Sequence, residues 1–273
     1  MWDDETGTGD SFRRKLIWWI GGLVVVAVAG FALWYRFLFH PAETTPPTAA
    51  VPPAPPPAAT QPAIANPMPA GSSGSEALPA LNDSDPMVEQ SLTGVVGRPT
   101  LESLLVPQNI VRHIVVTIDN LPRHKVAVEL RPVKPTAGQA VVSTEGDLTV
   151  LSEANFARYA TFVHAVQAID VKALAAAYQR LYPLFQQAYE DLGYPGKYFN
   201  DRLVEVIDHL LETPEVAPPI QLEQPRVFYT FADAGLEGRS AGQKLLIRMG
   251  PSNARIIKAK LRELRAEIVA KKP

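Results

Sequence analysis

The longest uninterrupted apolar run lies near the start of the chain. Leu16 to Tyr35 carries no charged residue, and Phe37-Leu38-Phe39 prolongs the run beyond Arg36. At roughly 1.5 Å rise per residue, about 20 residues match the hydrocarbon core of a bilayer. Trp18 and Trp19 stand at one end and Trp34 and Tyr35 at the other, where interfacial aromatics belong. The pattern predicts a transmembrane helix over 16–39. Arg13, Arg14 and Lys15 precede it, so the positive-inside rule places residues 1–15 in the cytoplasm and the rest outside. A cleaved signal peptide is the rival reading, with an apolar core of only about 7–15 residues followed by small ones. Here the run ends on the bulky Trp34-Tyr35-Arg36-Phe37, and Ala63-Ile64-Ala65 lies far downstream. The anchor holds no Ser, Thr, His or acidic residue, the groups that mark proton relays or polar partner contacts in a membrane, which favours a passive tether.

Beyond the anchor the hydrophobic periodicity vanishes. Residues 41–80 hold 12 prolines, and Glu43 and Glu76 are their only charges. Such a composition buries no core and favours extended polyproline segments, so 40–80 reads as a disordered spacer.

Helical spacing resumes in 81–273. Asp83-Ser84-Asp85-Pro86 reads as a helix start, followed by Val88, Leu92 and Val95 at helical intervals. Residues 100–105 form a short apolar segment closed by Pro107. Ile110, Val111, Ile114, Val115 and Ile118 then predict a buried helix that stops before Pro122. Residues 125–151 alternate and contain Pro132, Pro135, Gly138 and Gly146, which suits two or three short strands with loops. Ser152 is placed to cap a helix reaching about Ile169, and Asp170 to cap the next, with Pro183 inside it and Gly193 at its end. A Pro-Gly turn spans 194–199, and Asn200 is expected to cap a helix to about Glu212. PRVFYTF at 225–231 reads as a strand, and two helices close the chain near 236–249 and 252–270. The fold class is mainly α with a small β element (α+β), in one domain over 81–273.

Composition narrows the chemistry. The absence of cysteine removes disulfides, thiol catalysis and thiolate metal sites. A net charge of −2 argues against a nucleic-acid partner. Within 81–273 the charges cancel at 22 of each sign, yet residues 239–273 carry 10 basic and 2 acidic side chains, which polarises the domain. Its histidines, His113, His124, His164 and His209, show no zinc-binding spacing, and no metal or cofactor is expected. His113 and His164 read as core or boundary residues. No G-x-S-x-G, S-x-x-K, P-loop or G-x-G-x-x-G occurs.

Three constellations remain as candidates. Asp201, Glu205, Asp208 and Glu212 fall at four-three-four spacing and form an acidic stripe on one helix, with Val204, Ile207 and Leu211 facing the core. Paired carboxylates can perform acid/base chemistry, although glycosidases hold theirs about 5–9 Å apart across the substrate. A solvated stripe, or an ion-paired contact with the last helix, is the plainer reading. That last helix carries Arg255, Lys258, Arg262 and Arg265 beside the apolar stripe Ile257, Leu261, Leu264 and Ile268. Its basic face suits an anionic surface or simply solvent. The third is an aromatic concentration: Tyr178, Tyr182, Phe185, Tyr189, Tyr194, Tyr198 and Phe199. It suits either a core or a ligand groove. A binding site, if present, is expected between the 194–199 loop and the following helix, on Tyr194, Tyr198, Phe199, Asp201, Glu205 and Asp208.

Four blocks carry a family resemblance: PALNDSD at 79–85, IDNLP at 118–122, RLYPLFQQAYEDLGYPGKYFNDRLVEVIDHLL at 180–211, and SAGQKLLIRMGPSNA at 240–254. The pattern resembles a bacterial membrane-protein family, domain of unknown function 3014, over most of 80–265. The resemblance implies a bacterial inner-membrane protein and brings no activity or catalytic residue with it.

The layout points first to a single-pass inner-membrane protein. Its periplasmic module would bind or scaffold an envelope protein or an anionic envelope polymer, without enzymatic activity. The alternative is an envelope or cell-wall enzyme using carboxylates of the 200–212 helix. A third reading, an energy-transducing protein that spans the periplasm, shares the layout but would need polar residues in the anchor.

Overall fold

The computed structural model describes residues 63–69 and 77–270. The predicted anchor at 16–39 and its cytoplasmic flank lie outside these residues. No helix among those described is long and apolar enough to cross a membrane.

The described chain is mainly helical, with one small antiparallel sheet. Ten α-helices follow in order: α1 (Asp85–Val96), α2 (Arg98–Leu104), α3 (Ile110–Asn120), α4 (Glu153–Ala157), α5 (Ala160–Ala168), α6 (Val171–Asp191), α7 (Phe199–Leu211), α8 (Ala234–Glu237), α9 (Ala241–Arg248) and α10 (Pro251–Ile268). The strands are β1 (Val142–Glu145), β2 (Leu148–Leu151), β3 (Gln221–Glu223) and β4 (Thr230–Phe231), neighbours in that order. Val142 pairs with Leu151, Thr149 with Leu222, and Leu222 with Phe231.

Side chains at the helix starts satisfy the first free N–H groups, which have no partner inside their own helix. The Asp170 carboxylate accepts from Lys172 N at 2.9 Å and Ala173 N at 3.2 Å, starting α6. Ser152 accepts from Ala154 N, and Ser240 from Gln243 N. The start of α3 is capped from a distance. Asp85, at the head of α1, accepts from the backbone N–H of Asn109 at 2.7 Å and of Ile110 at 2.8 Å.

The main core forms where α6 meets α1, α3 and α7, with α10 closing over α6 and α7. Ile110, Val111 and Val115 of α3 are buried against Leu181, Leu184 and Phe185 of α6. Phe199, fully buried, stacks on Phe185 with ring centroids 5.7 Å apart. Burying one such ring contributes about 2–3 kcal/mol. A second cluster joins Tyr159 and Val163 to Val206, Leu210, Leu246 and Met249. A third lies under the sheet, where Leu151, Ile220, Leu222 and Phe231 meet Ile247 of α9.

Several sequence expectations change here. The single helix expected from Ser152 is two, because the chain turns at Arg158–Tyr159 before α5 begins. The helix expected near 236–249 is likewise split by Gly238-Arg239-Ser240. Pro183 lies within α6, as the sequence predicts. PRVFYTF is not a strand along its length. Only Thr230 and Phe231 join the sheet, while Val227 and Phe228 protrude at 76% and 81% exposure from the β3–β4 turn. Strand β3 is too short, at three residues, to show a period. Asn200 does not cap α7: Tyr198 holds that position, and the Asn200 side chain is buried and bonded elsewhere.

Residues 63–69, part of the stretch expected to be unstructured, are hydrogen-bonded to the domain. Asp201 accepts from Ala65 N at 3.1 Å and Asn66 N at 2.6 Å. Asn200 Nδ2 donates to Asn66 O at 2.8 Å and to Ile268 O at 3.1 Å, while Tyr178 Oη donates to Asn200 Oδ1. Ala270 N donates to Pro67 O, and Met68 packs on the main core. Backbone groups with no regular partner are here satisfied by one carboxylate and one amide.

Gly250 separates α9 from α10 with φ at +85°, and a Cβ there would lie 2.5 Å from the Phe156 ring. Gly250→Ala therefore combines left-handed strain with overpacking, and is expected to cost about 2–4 kcal/mol in urea denaturation.

Candidate functional site

Helix α3 presents Val111, Val115 and Asp119 at intervals of four, on its buried side. A carboxylate on such a face needs donors, since an uncompensated buried charge costs several kcal/mol. Asp119, 3% exposed, has them. Arg202 Nε of α7 donates to its Oδ1 at 3.0 Å, and Arg202 Nη2 donates to its backbone O at 2.9 Å. Arg123 Nη2, one helical turn beyond Asp119, donates to Oδ2, as does Tyr194 Oη at 3.2 Å. Arg123 also donates to Tyr194 Oη at 2.9 Å. Arg202 reaches on to Glu205 Oε1 at 2.9 Å.

This network backs a cleft of about 650 Å³. Asp119 and Arg202 lie on its inner side, Tyr189 lines it from the end of α6, and Tyr194, Lys197 and Tyr198 line it from the turn that follows. Asp201 and Glu205 come from α7, and the docked Ala65 and Asn66 complete it. The Tyr194–Tyr198 turn is fixed from beneath. Tyr189 and Tyr194 stack at 4.6 Å, and Gln186 Nε2 donates to Lys197 O at 2.7 Å while Gln186 Oε1 accepts from Phe199 N.

The electrostatics follow from burial and pairing. Burial pushes the Tyr189 phenol up to about 12, although Arg202 pulls the other way. Burial likewise raises Tyr178. For Arg202, burial alone would lower the guanidinium; the hydrogen bond and charge of Glu205, with Asp119, reverse that and hold it above its ordinary value. Both tyrosines are neutral at physiological pH, and Arg202 is a fixed cation.

The residues singled out in the sequence are distributed as follows. Tyr194, Tyr198, Asp201 and Glu205 line the cleft together. Phe199 is core, not cleft. Asp208 faces α10 and accepts both Arg265 Nε at 2.6 Å and Nη2 at 2.8 Å. That hydrogen bond raises Arg265. Three carboxylates of the acidic stripe are thus divided among backbone N–H groups, Arg202 and Arg265, and Glu212 is exposed. The four candidate cations of α10 do not share one surface. Arg255 pairs with Glu215 at 3.5 Å, and Arg262 is exposed. Lys258 is buried, its ammonium donating to Thr213 O at 2.7 Å. Of the histidines, His113 is half-buried, and His209 Nε2 meets Ser240 Oγ at 2.8 Å. His164 is exposed, not core or boundary. No cluster of metal-ligating side chains occurs among the described residues.

Asp119, Arg123 and Arg202 were not singled out in the sequence. The signal was present in the Val111–Val115–Asp119 register, where a lone acid on a buried stripe calls for a cation. Asp119→Ala leaves Arg202 facing an empty site and is expected to cost about 3–5 kcal/mol in denaturant unfolding. Alkaline pH gives a second test. Tyrosine ionises near 10.0 when unfolded, whereas folded Tyr189 holds its proton to about 12. The folded state then binds more protons, so stability is full below about 10 and falls as pH rises toward 12. Tyr189→Phe should reduce that slope, read from urea midpoints across the range.

Asp119 lies in the IDNLP block, and Tyr194, Arg202 and Glu205 lie in the long 180–211 block. No curated protein and no solved structure matches the chain. The family model described as "Protein of unknown function (DUF3014)" matches residues 110–265, more than half of the chain, including α3, the end of α6 with its turn, and α7, and the chain belongs to that family.

Proposed function

We propose that the protein is a single-pass inner-membrane protein. Its cytoplasmic N-terminus and helix 16–39 hold a periplasmic module that binds a polypeptide of the cell envelope at the Asp119–Arg202 cleft. The apolar run with its flanking charges supports the anchor and its orientation. One observation carries the binding reading: the cleft already holds a polypeptide segment by its backbone. Asp201 takes two consecutive N–H groups of residues 65–66, and Asn200 donates to the carbonyl of Asn66. Beside that strand of chain, Tyr194, Lys197, Tyr198 and Glu205 are set on a braced turn and a helix. Rigid, pre-placed aromatic and charged groups favour recognition, because little ordering entropy is lost on contact.

The enzymatic alternative has less support. Asp201 accepts two backbone N–H groups and Asp208 both arms of Arg265, so each carboxylate already has a positioning task.

Two measurements test the proposal. Phosphatase fused after residue 273 should be active in cells, and fused at residue 10 inactive; the reverse pattern would overturn the orientation. A photocrosslinking amino acid at Lys197 or Tyr198 should yield one discrete adduct with an envelope polypeptide, absent when the crosslinker sits at exposed Glu153. Labelling that is diffuse, or equal at both places, would overturn the cleft as the binding face.

A further inference from the structure

A second cavity, of about 470 Å³, lies away from the cleft. Its walls come from the end of α2, the 131–137 loop, the α4–α5 junction and α9. Leu104, Val133, Tyr159, Phe162, Leu245 and Met249 make them largely apolar. Arg131, Lys134 and Arg158 also line it, and no acidic residue does.

The three cations are not neutralised in the fold. Among the described residues no carboxylate forms an ion pair with any of them, whereas Asp119 draws two arginines in the cleft. Arg158 is instead held by neutral acceptors: Gly138 O at 2.7 Å, Asn155 Oδ1 at 2.9 Å, Ala137 O at 3.2 Å and Thr136 Oγ1 at 3.4 Å. Asn155 is itself buried, and its amide donates to Arg248 O at 3.0 Å. Lys134 Nζ donates to Glu102 O at 2.6 Å. Neutral oxygens fix Arg158 and Lys134 in position, and none of the three cations is paired with a carboxylate among the described residues. An anion at the cavity would therefore gain charge-assisted hydrogen bonds without displacing a carboxylate.

The rim offers no open strand edge to a peptide. Val106 N donates to Pro132 O at 2.9 Å and Lys134 N to Leu104 O at 2.7 Å, so the neighbouring backbone is paired with itself. What the cavity matches is an apolar body with one anionic head. Its volume is within the range of roughly 300–1,000 Å³ typical of small-ligand sites.

We propose that this cavity binds a single-chain fatty-acid carboxylate, its chain against Phe162, Leu245 and Met249 and its head at Arg131, Lys134 and Arg158. The site is independent of the polypeptide cleft and of the anchor's orientation.

The test uses the full-length chain in phosphatidylcholine nanodiscs and palmitic acid bearing a diazirine near its tail. Photolysis should place adducts on the peptides that contain Tyr159, Phe162 and Met249. The matching fatty alcohol should label them about tenfold less, since it lacks the charge that the three cations address. The pair Arg131→Gln and Lys134→Gln should reduce labelling by the acid by a similar factor and leave labelling by the alcohol unchanged. Both side chains are at the cavity rim, and unchanged thermal unfolding would show that the fold is kept. Leu245→Trp, at a 40% exposed position, should block labelling by filling the mouth. Equal labelling by acid and alcohol, adducts confined to other peptides, or labelling indifferent to the two glutamine substitutions would overturn the proposal.

Discussion

Asp119 occupies a position on α3 where the pattern of the helix calls for an apolar residue, and its charge has to be met from outside the helix. Arg202 supplies that from α7, bonding both the carboxylate and the backbone oxygen of the same residue. The pairing fixes α3 and α7 in both position and register, because a guanidinium satisfies two acceptors only at one separation. Tyr194 and Arg123 complete the acceptor's shell. The turn after α6, the start of α7 and the end of α3 are therefore held together by one charge. The cleft is the space left in front of that charge.

How much of this could be read from the sequence depended on the range of the interaction. Helices α1, α3, α6 and α10 were legible because their apolar spacing, caps and terminating Pro or Gly are local signals. Asp170 and Ser152 acted as caps for the same reason. Asn200 had the chemistry of a cap, but a buried hydroxyl on Tyr178 and the carbonyls of Asn66 and Ile268 claimed its side chain. Those partners lie 22, 134 and 68 residues away, beyond any window. Val227 and Phe228 have strand-like character, yet the sheet ends before them. The aromatic block was visible as a concentration, but its division into core (Phe185, Phe199) and cleft (Tyr194, Tyr198) depends on how α6 and α7 fold back on each other.

The two cavities handle charge in opposite ways. In the cleft, cations and carboxylates alternate and largely satisfy one another, which suits contact with a polar backbone. In the second cavity, Arg158 and Lys134 are held by neutral oxygens, and Arg131 joins them beside apolar walls. A protein with an acidic body and a basic end can be electrostatically featureless in its net charge and still hold two cavities of different charge. The Arg265–Asp208 pair and the buried Lys258 show where the basic end goes: into the packing of α10 on the rest of the domain.

Asn200 has a further consequence for how the two ends of the described domain are joined. One side chain amide holds residues 63–69 on one side and the end of α10 on the other, and Ala270 is bonded directly to Pro67. The entry and exit of the chain therefore meet at a single knot beside the first turn of α7. A pull delivered through the upstream chain is resisted at that knot, by Asp201 and Asn200, before it reaches α1, the sheet or the second cavity. The clasp that joins the two ends of the described domain also forms one wall of the cleft.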